Sequence, residues 1–369
     1  MEQEKIDQFL KIVPAVRGLL AERTGNEDMP YRPVILNSCG QESEDSLYIE
    51  AVEASGSCDE IKSTIKSAID SYAKQHGATP ATIKIENFGT LGVSEKVVES
   101  DLALQNKVAL VTGAAGAIGY GICAALLANG CFLAVSDLPG KRLDDFAAEL
   151  EETAPGRVIG VGIDVTDEKS IEDGFCSIIK AWGGIDIVVI NAGIALVSHL
   201  NEMDLEAFRK LEKVNVEGTL LTLRQSGRLF EIQGTGGDIV VMSTKNVPCP
   251  GAGFGAYSAT KAACHQLGRI ASLELAKYGV RVNMVAPDAV FSEGKHKSGL
   301  WQEVGPGRMK ARGLDEKGLH EYYRNRNLLK ARVTGRHVAN AVLFFLTRQT
   351  PTTGATIPVD GGLPDATPR

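Results

Sequence analysis

The sequence predicts an α/β protein built on a doubly wound parallel sheet, with a smaller N-terminal α/β extension. Three observations predict it. From Lys107 onward short apolar runs alternate with amphipathic stretches, a glycine cluster opens one of those stretches, and residues 1–103 do not share the rhythm. The runs are "KVALVTG", "FLAVSD", "RVIGVGIDV", "IDIVVINAG", "GDIVVMS", "VRVNMVAP" and "GATIPVDGG". They are short and rich in Val, Ile and Ala, as strands covered on both faces should be. Stretches such as "YGICAALLANG" and "LDDFAAELEETA" supply the helical crossovers between them. A sheet of this kind takes its ligands at the carboxyl ends of its strands.

The extension, residues 1–103, suggests a helix around 5–23, a strand at "RPVILN", a helix near 60–76 and a strand at "TIKIEN". It holds 18 acidic and 10 basic residues, so it alone accounts for the chain's net charge of −7, and its one histidine is His76. The second domain is expected to span 104–369. An acidic balance argues against a general nucleic-acid binder. No apolar run approaches the roughly 18–20 residues needed to cross a bilayer, and the charged start "MEQEKIDQFLKIV" has no signal-peptide core. Seven scattered cysteines form no C-x-x-C pair and no metal-like spacing. The expectation is a cytoplasmic protein with reduced cysteines, no metal and no membrane contact.

Directly after "KVALV" comes "TGAAGAIGYG", Thr112 to Gly121. Gly113, Gly116 and Gly119 permit a tight turn and a close backbone approach to a pyrophosphate, which the free N–H groups and dipole of the following helix would hold. Glycine clusters also mark ordinary turns, so the next strand matters. "FLAVSD" ends in Asp137, 24 residues after Gly113. An acid there accepts hydrogen bonds from adenosine ribose hydroxyls and repels a 2′-phosphate; a helix cap or solvated acid is the alternative. Ala115 stands where a basic residue would help hold that phosphate. The expectation is a Rossmann fold taking NAD rather than NADP, with Gly113, Ala115, Gly116, Ala117, Ile118 and Gly119 forming the cofactor loop.

Further on, "AYSATK" places Tyr257 four residues before Lys261 as a helical pattern begins. Positions i and i+4 share a helix face about 5–6 Å apart. A neighbouring cation favours the phenolate, which would make Tyr257 a usable general acid/base. An isolated Y-x-x-x-K is more often a pair on a solvated helix face.

Taken together, T-G-x-x-x-G-x-G (Thr112–Gly119), "NAG" (Asn191–Gly193), Y-x-x-x-K and the terminal "VDGG" (359–362) resemble the short-chain dehydrogenase/reductase family over about 104–364. The resemblance implies that Tyr257 is the acid/base and that Lys261 also binds the nicotinamide ribose. It implies that Asn215 in "KVNVEGT" anchors a proton-relay water, and that a hydroxyl 13 residues before the tyrosine holds the substrate oxygen. That position falls on Thr244, a departure from the family's serine; Ser243 lies beside it, and on a strand only one of the two can point inward. Asp164 and Val165, ending the third strand, are expected at the adenine, and Asn191, Ala192 and Gly193 along the ribose. Pro287 is also expected at the cofactor. Asp288, in place of the family's usual glycine after Pro287, either hydrogen-bonds a polyol's hydroxyls or caps the next helix. Association into a homodimer or homotetramer is implied as well.

More narrowly, "STKNVPCPGAGFGAYSATK", "APDAVF" and the C-terminal run resemble the dehydrogenase half of bifunctional rhamnulose-1-phosphate aldolase/short-chain dehydrogenases. The histidine-rich zinc site of an aldolase has no counterpart before residue 105, so aldolase activity is not expected. Residues 294–332 carry 10 Lys/Arg and 4 acids, in a substrate lid expected at about 291–330. With Lys245, this balance suggests an anionic small-molecule substrate; a solvated surface or subunit contact is the plainer reading. The expected activity is hydride transfer between NAD and a small polyol, sugar, sugar phosphate of the sorbitol-6-phosphate kind, or lactaldehyde-like hydroxyaldehyde. A non-catalytic NAD-sensing or scaffold subunit is the alternative.

Overall fold

The computed structural model describes residues 3–364 apart from 40–44, 51–55, 95–101, 293, 295, 297, 299–300 and 303. Parts of the expected lid, including Lys295 and Lys297, and the final residues 365–369 therefore lie outside the described residues. The extension opens with α1 (Gln3–Leu20) and a short ribbon, β1 (Glu22–Arg23) against β2 (Tyr31–Arg32). It continues with β3 (Ile35–Ser38), β4 (Leu47–Ile49), α2 (Cys58–His76), β5 (Thr82–Ile85) and β6 (Gly89–Ser94). Its sheet runs β3-β6-β5-β4, antiparallel except for the β5–β4 pair. A capping box between Ser57 and Glu60 starts α2, and Gly77 at φ 70° ends it.

The larger unit alternates strand and helix. It runs β7 (Val108–Thr112), α3 (Ala117–Ala128), β8 (Phe132–Asp137), α4 (Lys141–Thr153), β9 (Val158–Gly162), α5 (Glu168–Trp182) and β10 (Ile187–Ile190). Then follow α6 (Leu205–Glu212), α7 (Gly218–Gln233), β11 (Gly237–Met242), α8 (Gly255–Glu274) and β12 (Val280–Pro287). The chain finishes with α9 (Gly305–Arg312), α10 (Glu316–Asn325), α11 (Gly335–Leu346) and β13 (Thr356–Val359). Seven strands pair in parallel in the order β13-β12-β11-β10-β7-β8-β9. The chain steps outward from β7 to β9, then crosses back to β10 on the other side of β7. The cleft between β7 and β10 is thus the switch point, where ligands bind in sheets of this kind.

Strand alternation divides the core. Val108, Leu110, Val188 and Ile239 face α5 and α7, while Ala109, Val111, Val189 and Val240 face α3, α4 and α11. The extension joins the first of these layers: Phe9, Ile12, Val13 and Val16 of α1 belong to the same apolar cluster as Phe175, Ile179, Leu229 and Phe230. α1 and α7 approach so closely that a Cβ on Gly18 would lie 1.7 Å from the Gln233 carbonyl oxygen.

A buried ion pair fixes this docking. Arg17, only 1% exposed, donates to both carboxylate oxygens of Asp186 at 3.0 and 2.7 Å and through Nε to the Val34 carbonyl at 2.8 Å. Asp186 also accepts the Val108 N–H at 2.7 Å. Burial on its own would raise the Asp186 carboxyl, but Arg17, Lys107 and the hydrogen bonds outweigh it and hold the group below the usual aspartate value. Removing one partner strands a buried charge, so Arg17→Ala or Asp186→Asn is expected to cost about 3–5 kcal/mol in urea unfolding at neutral pH. A loss below about 1 kcal/mol would mean that solvent reaches the pair. Because the folded-state value is depressed, the contribution is present above about pH 4 and lost as pH falls through the folded value. Asp186→Asn should therefore flatten the acid limb of the stability profile.

Candidate active site

The loop after β7 has the geometry the glycines predict. Gly113 sits at φ 60°, and a Cβ there would lie 2.7 Å from the Ala192 Cα. A Cβ on Gly119 would meet the Ala114 carbonyl oxygen at 2.2 Å, while one on Gly116 would meet nothing within 4 Å. The space in front of Gly116 is therefore open. Gly116 caps α3 without any side-chain hydrogen bond, and the first turn, from Ala117 and Ile118, carries no acid. The helix N-terminus keeps its N–H groups and positive dipole end for an anion, which suits a pyrophosphate.

Asp137 closes β8 beside this loop, its two oxygens accepting the N–H groups of Ala115 at 3.2 Å and Leu138 at 2.9 Å. A cation that the sequence reading passed over lies close by: Arg142 of α4 donates to the Ala115 carbonyl at 2.8 Å. β9 stops at Gly162, so Asp164 and Val165 lie in the loop beyond it rather than at the strand's end. The Asp164 carboxylate accepts from the N–H and hydroxyl of Thr166 at 2.9 and 2.7 Å. Val165 packs so tightly on the start of α7 that a Cβ on Gly218 would approach it to 2.8 Å.

Across the switch point, the Thr112 hydroxyl accepts the N–H groups of Asn191 and Ala192, both at 3.1 Å. The Asn191 amide donates in return to the carbonyls of Thr112 at 3.1 Å and Gly113 at 2.8 Å. Asn191 therefore binds the glycine loop to the end of β10. A Cβ on Gly193 would lie 3.1 Å from Asn215 Oδ1 and 3.3 Å from Lys261 Nζ, which locates those two groups against it.

Asn215 is fully buried within a π-helical turn, Lys213–Glu217, that joins α6 to α7. Wide turns of this type recur at functional sites. Its side chain clamps Ile194, accepting the N–H at 2.9 Å and donating to the carbonyl at 3.0 Å, and donates to Thr260 Oγ1 at 3.0 Å. Thr260 donates in turn to the Tyr257 carbonyl at 3.0 Å. The Asn215 carbonyl accepts from Thr219 Oγ1 at 2.6 Å and Cys264 Sγ at 2.9 Å.

Tyr257 stands in the first turn of α8, and Lys261 one turn on is 7% exposed, its Nζ donating to the Met242 carbonyl at 2.9 Å. β11 ends at Met242, so Ser243 and Thr244 lie just past the strand. Ser243 is engaged elsewhere, with its hydroxyl 2.9 Å from His265 Nδ1. Thr244 is buried and its hydroxyl accepts the Asn246 N–H at 3.3 Å. The Pro287 carbonyl accepts the Lys245 N–H at 3.1 Å, tying the ends of β11 and β12 together. Asp288 does not cap a helix: it pairs with Arg326, which lies just past α10, through Nε at 3.1 Å and through Nη2. Among the described residues no cluster of metal-binding side chains occurs, and no helix is long and apolar enough to cross a membrane.

A family model described as short chain dehydrogenase matches residues 107–303. An uncharacterised oxidoreductase of Bacillus subtilis, YuxG, is 36% identical over 265 residues, which cover 71% of this chain but only 38% of that protein. A sorbitol dehydrogenase of Cereibacter sphaeroides is 33% identical over 199 residues, 54% of this chain and 75% of that enzyme. The crystal structure of a sorbitol-6-phosphate 2-dehydrogenase from Erwinia amylovora superposes with a TM-score of 0.64 at 27% identity, covering 69% of this chain and 98% of that one. With the glycine loop, the Asn191 lock and the Tyr257–Lys261 helix in place, the chain belongs to the short chain dehydrogenase family, oxidoreductases that work with a nicotinamide cofactor.

Proposed function

We propose that the chain is an NAD-dependent dehydrogenase that oxidises a secondary alcohol of a polyol or sugar, or reduces the matching ketone or hydroxyaldehyde. The observation that carries this is Lys261, one helical turn after Tyr257, with its Nζ anchored on the Met242 carbonyl at the carboxyl end of β11, beside Gly193 and Asn215. The sorbitol dehydrogenase and sorbitol-6-phosphate dehydrogenase relatives support the substrate class.

Gly113–Gly119 and Asp137 would hold the adenosine and pyrophosphate end of the cofactor, and Asn191–Gly193 with Lys261 the nicotinamide end. When bound, the cofactor supplies the hydride acceptor. Thr244 and Tyr257 hold the reacting oxygen by hydrogen bonds, and Tyr257 takes the hydroxyl proton during oxidation. Lys261 places a fixed positive charge one helical turn away, where it stabilises negative charge on the phenol oxygen. The clamp from Asn215 through Thr260 to the Tyr257 carbonyl fixes the height of that turn in the site. Tyr257→Phe is expected to lower kcat/KM for the best polyol by about 10²–10⁴ with cofactor binding retained; a variant as active as the parent would remove Tyr257 from the mechanism, and a parent that binds the cofactor but turns over no alcohol would leave the non-catalytic reading. Gly113→Ala should abolish cofactor binding in a fluorescence titration, because its Cβ has no room against Ala192.

Asp137 favours NAD, whereas Arg142 beside the same loop favours NADP. Comparing kcat/KM for the two cofactors decides between them. If Asp137 governs, Asp137→Ala raises use of NADP and Arg142→Ala changes little. If Arg142→Ala instead removes most activity with NADP, the preference assigned here is reversed.

A further inference from the structure

The described part of the insert brings positive charge to the catalytic end of the sheet. Arg308 of α9 lies over the Phe254 ring at 4.1 Å, and that ring is 6.1 Å from the ring of Tyr257. The Arg308 Nη2 reaches the Ala252 carbonyl at 3.5 Å, but its Nε is buried and has no hydrogen-bond partner. Arg326 lies over Tyr323 at 4.5 Å and is tied to Asp288. Lys245, next to Thr244, donates to the Cys249 carbonyl at 3.3 Å. Burial first, then Arg326 and Arg308, push its ammonium below the usual lysine value, while Asp288 acts in the opposite sense. Lys245 thus feels both guanidinium groups, and Arg308 feels Arg312 and Arg326.

Among the described residues Lys245, Arg308, Arg326 and Arg312 outnumber Asp288 in a partly desolvated place, and a buried guanidinium N–H is unsatisfied. Such a group carries a cost until an acceptor arrives. The Asn246 side chain, almost fully buried two residues beyond Thr244, likewise has an Oδ1 without a partner. A carbonyl oxygen of that kind suits a hydroxyl donor.

We propose that Lys245, Arg308 and Arg326 form an anion pocket beside Tyr257 that holds the phosphate of a phosphorylated polyol, with Asp288 holding Arg326 in place. This rests on the dehydrogenase reading above for the reaction, but the pocket itself can be tested without turnover. A phosphate monoester offsets this positive excess, and a neutral polyol would leave it uncompensated.

The test uses the full chain and two readouts. Calorimetric titration with inorganic phosphate probes the pocket directly, and turnover is compared between sorbitol 6-phosphate and sorbitol with the preferred cofactor. Phosphate should bind and should inhibit competitively against the polyol, not against the cofactor. Arg308→Gln should weaken phosphate binding at least tenfold and lower the ratio of kcat/KM for the phosphorylated over the plain polyol by a similar factor, carried by KM. Arg308→Lys should restore part of both, and thermal melts of the two variants show that the fold is kept. Phosphate that fails to bind, or that binds Arg308→Gln as well as the parent, overturns the pocket, even where polyols are oxidised. Absence of turnover with phosphate binding intact and sensitive to Arg308 would keep the pocket and overturn the dehydrogenase reading instead.

Discussion

The Asp186 carboxylate, buried at the start of β10, is the point on which the arrangement of this chain depends. It accepts from Arg17 of the extension and from the N–H of Val108 at the start of β7. The Gln233 side chain, at the end of α7, bonds both backbone groups of the preceding Ile185, donating at 3.0 Å and accepting at 3.2 Å. One charged group thus holds together the extension and the two strands between which the sheet changes direction. A buried carboxylate is tolerable only when its oxygens are filled, and here each partner comes from a different element. The extension is therefore more than an appendage on a surface, because its arginine completes the electrostatics of the sheet beneath it.

The opposite end of the same strand carries Asn191. β10 is pinned by Asp186 at its start and by the exchange of hydrogen bonds with Thr112 and Gly113 at its end, so the two walls of the cleft hold a fixed separation. Two of the candidate site residues are positioned by backbone atoms in the same way. Lys261 is held by the Met242 carbonyl, and Asn215 by both backbone groups of Ile194. Met242 ends β11 and Ile194 lies in the loop just past β10, so the candidate site is referenced to backbone at the strand ends, which suits preorganised electrostatic stabilisation.

The seven parallel strands were readable because strands buried on both faces appear as unbroken apolar runs, and "FLAVSD" and "VRVNMVAP" match β8 and β12 to the residue. In the extension β1, β2, β4 and β6 were missed, and β1 occupies Glu22–Arg23 where the helix was expected to run on to 23. β4 has three residues, and "GTLGVS" carries two glycines that hide any alternation. The loop glycines and the Tyr257–Lys261 spacing could be read because they are local. What escaped depends on pairs far apart in sequence, such as Arg17 with Asp186 and Asn215 with Thr260, where neither partner signals the other. The π-helical turn also left no trace, because "KVNVEG" has the composition of ordinary helix. Ser243 beside Thr244 could be weighed only by strand alternation, and its actual bond is to His265, 22 residues on.

Asp288 and the basic stretch 294–332, read separately in sequence, turn out to be one physical feature. Asp288 replaces a glycine after Pro287, and the basic insert supplies Arg326 38 residues later. The Asp288 side chain is 7% exposed, and a carboxylate that buried needs a partner. Arg326 supplies that partner, donating through two nitrogens while its plane covers Tyr323. Conversely, Arg326 without Asp288 would lie beside Lys245 and Arg308 with no opposing charge, and like-charge repulsion would push the segment after α10 away from the strand ends. The acid and the insert therefore require each other. A glycine at 288 would leave the segment that carries Arg326 without its ionic anchor at the mouth of the site, and an insert without Arg326 would leave Asp288 an unpaired buried charge.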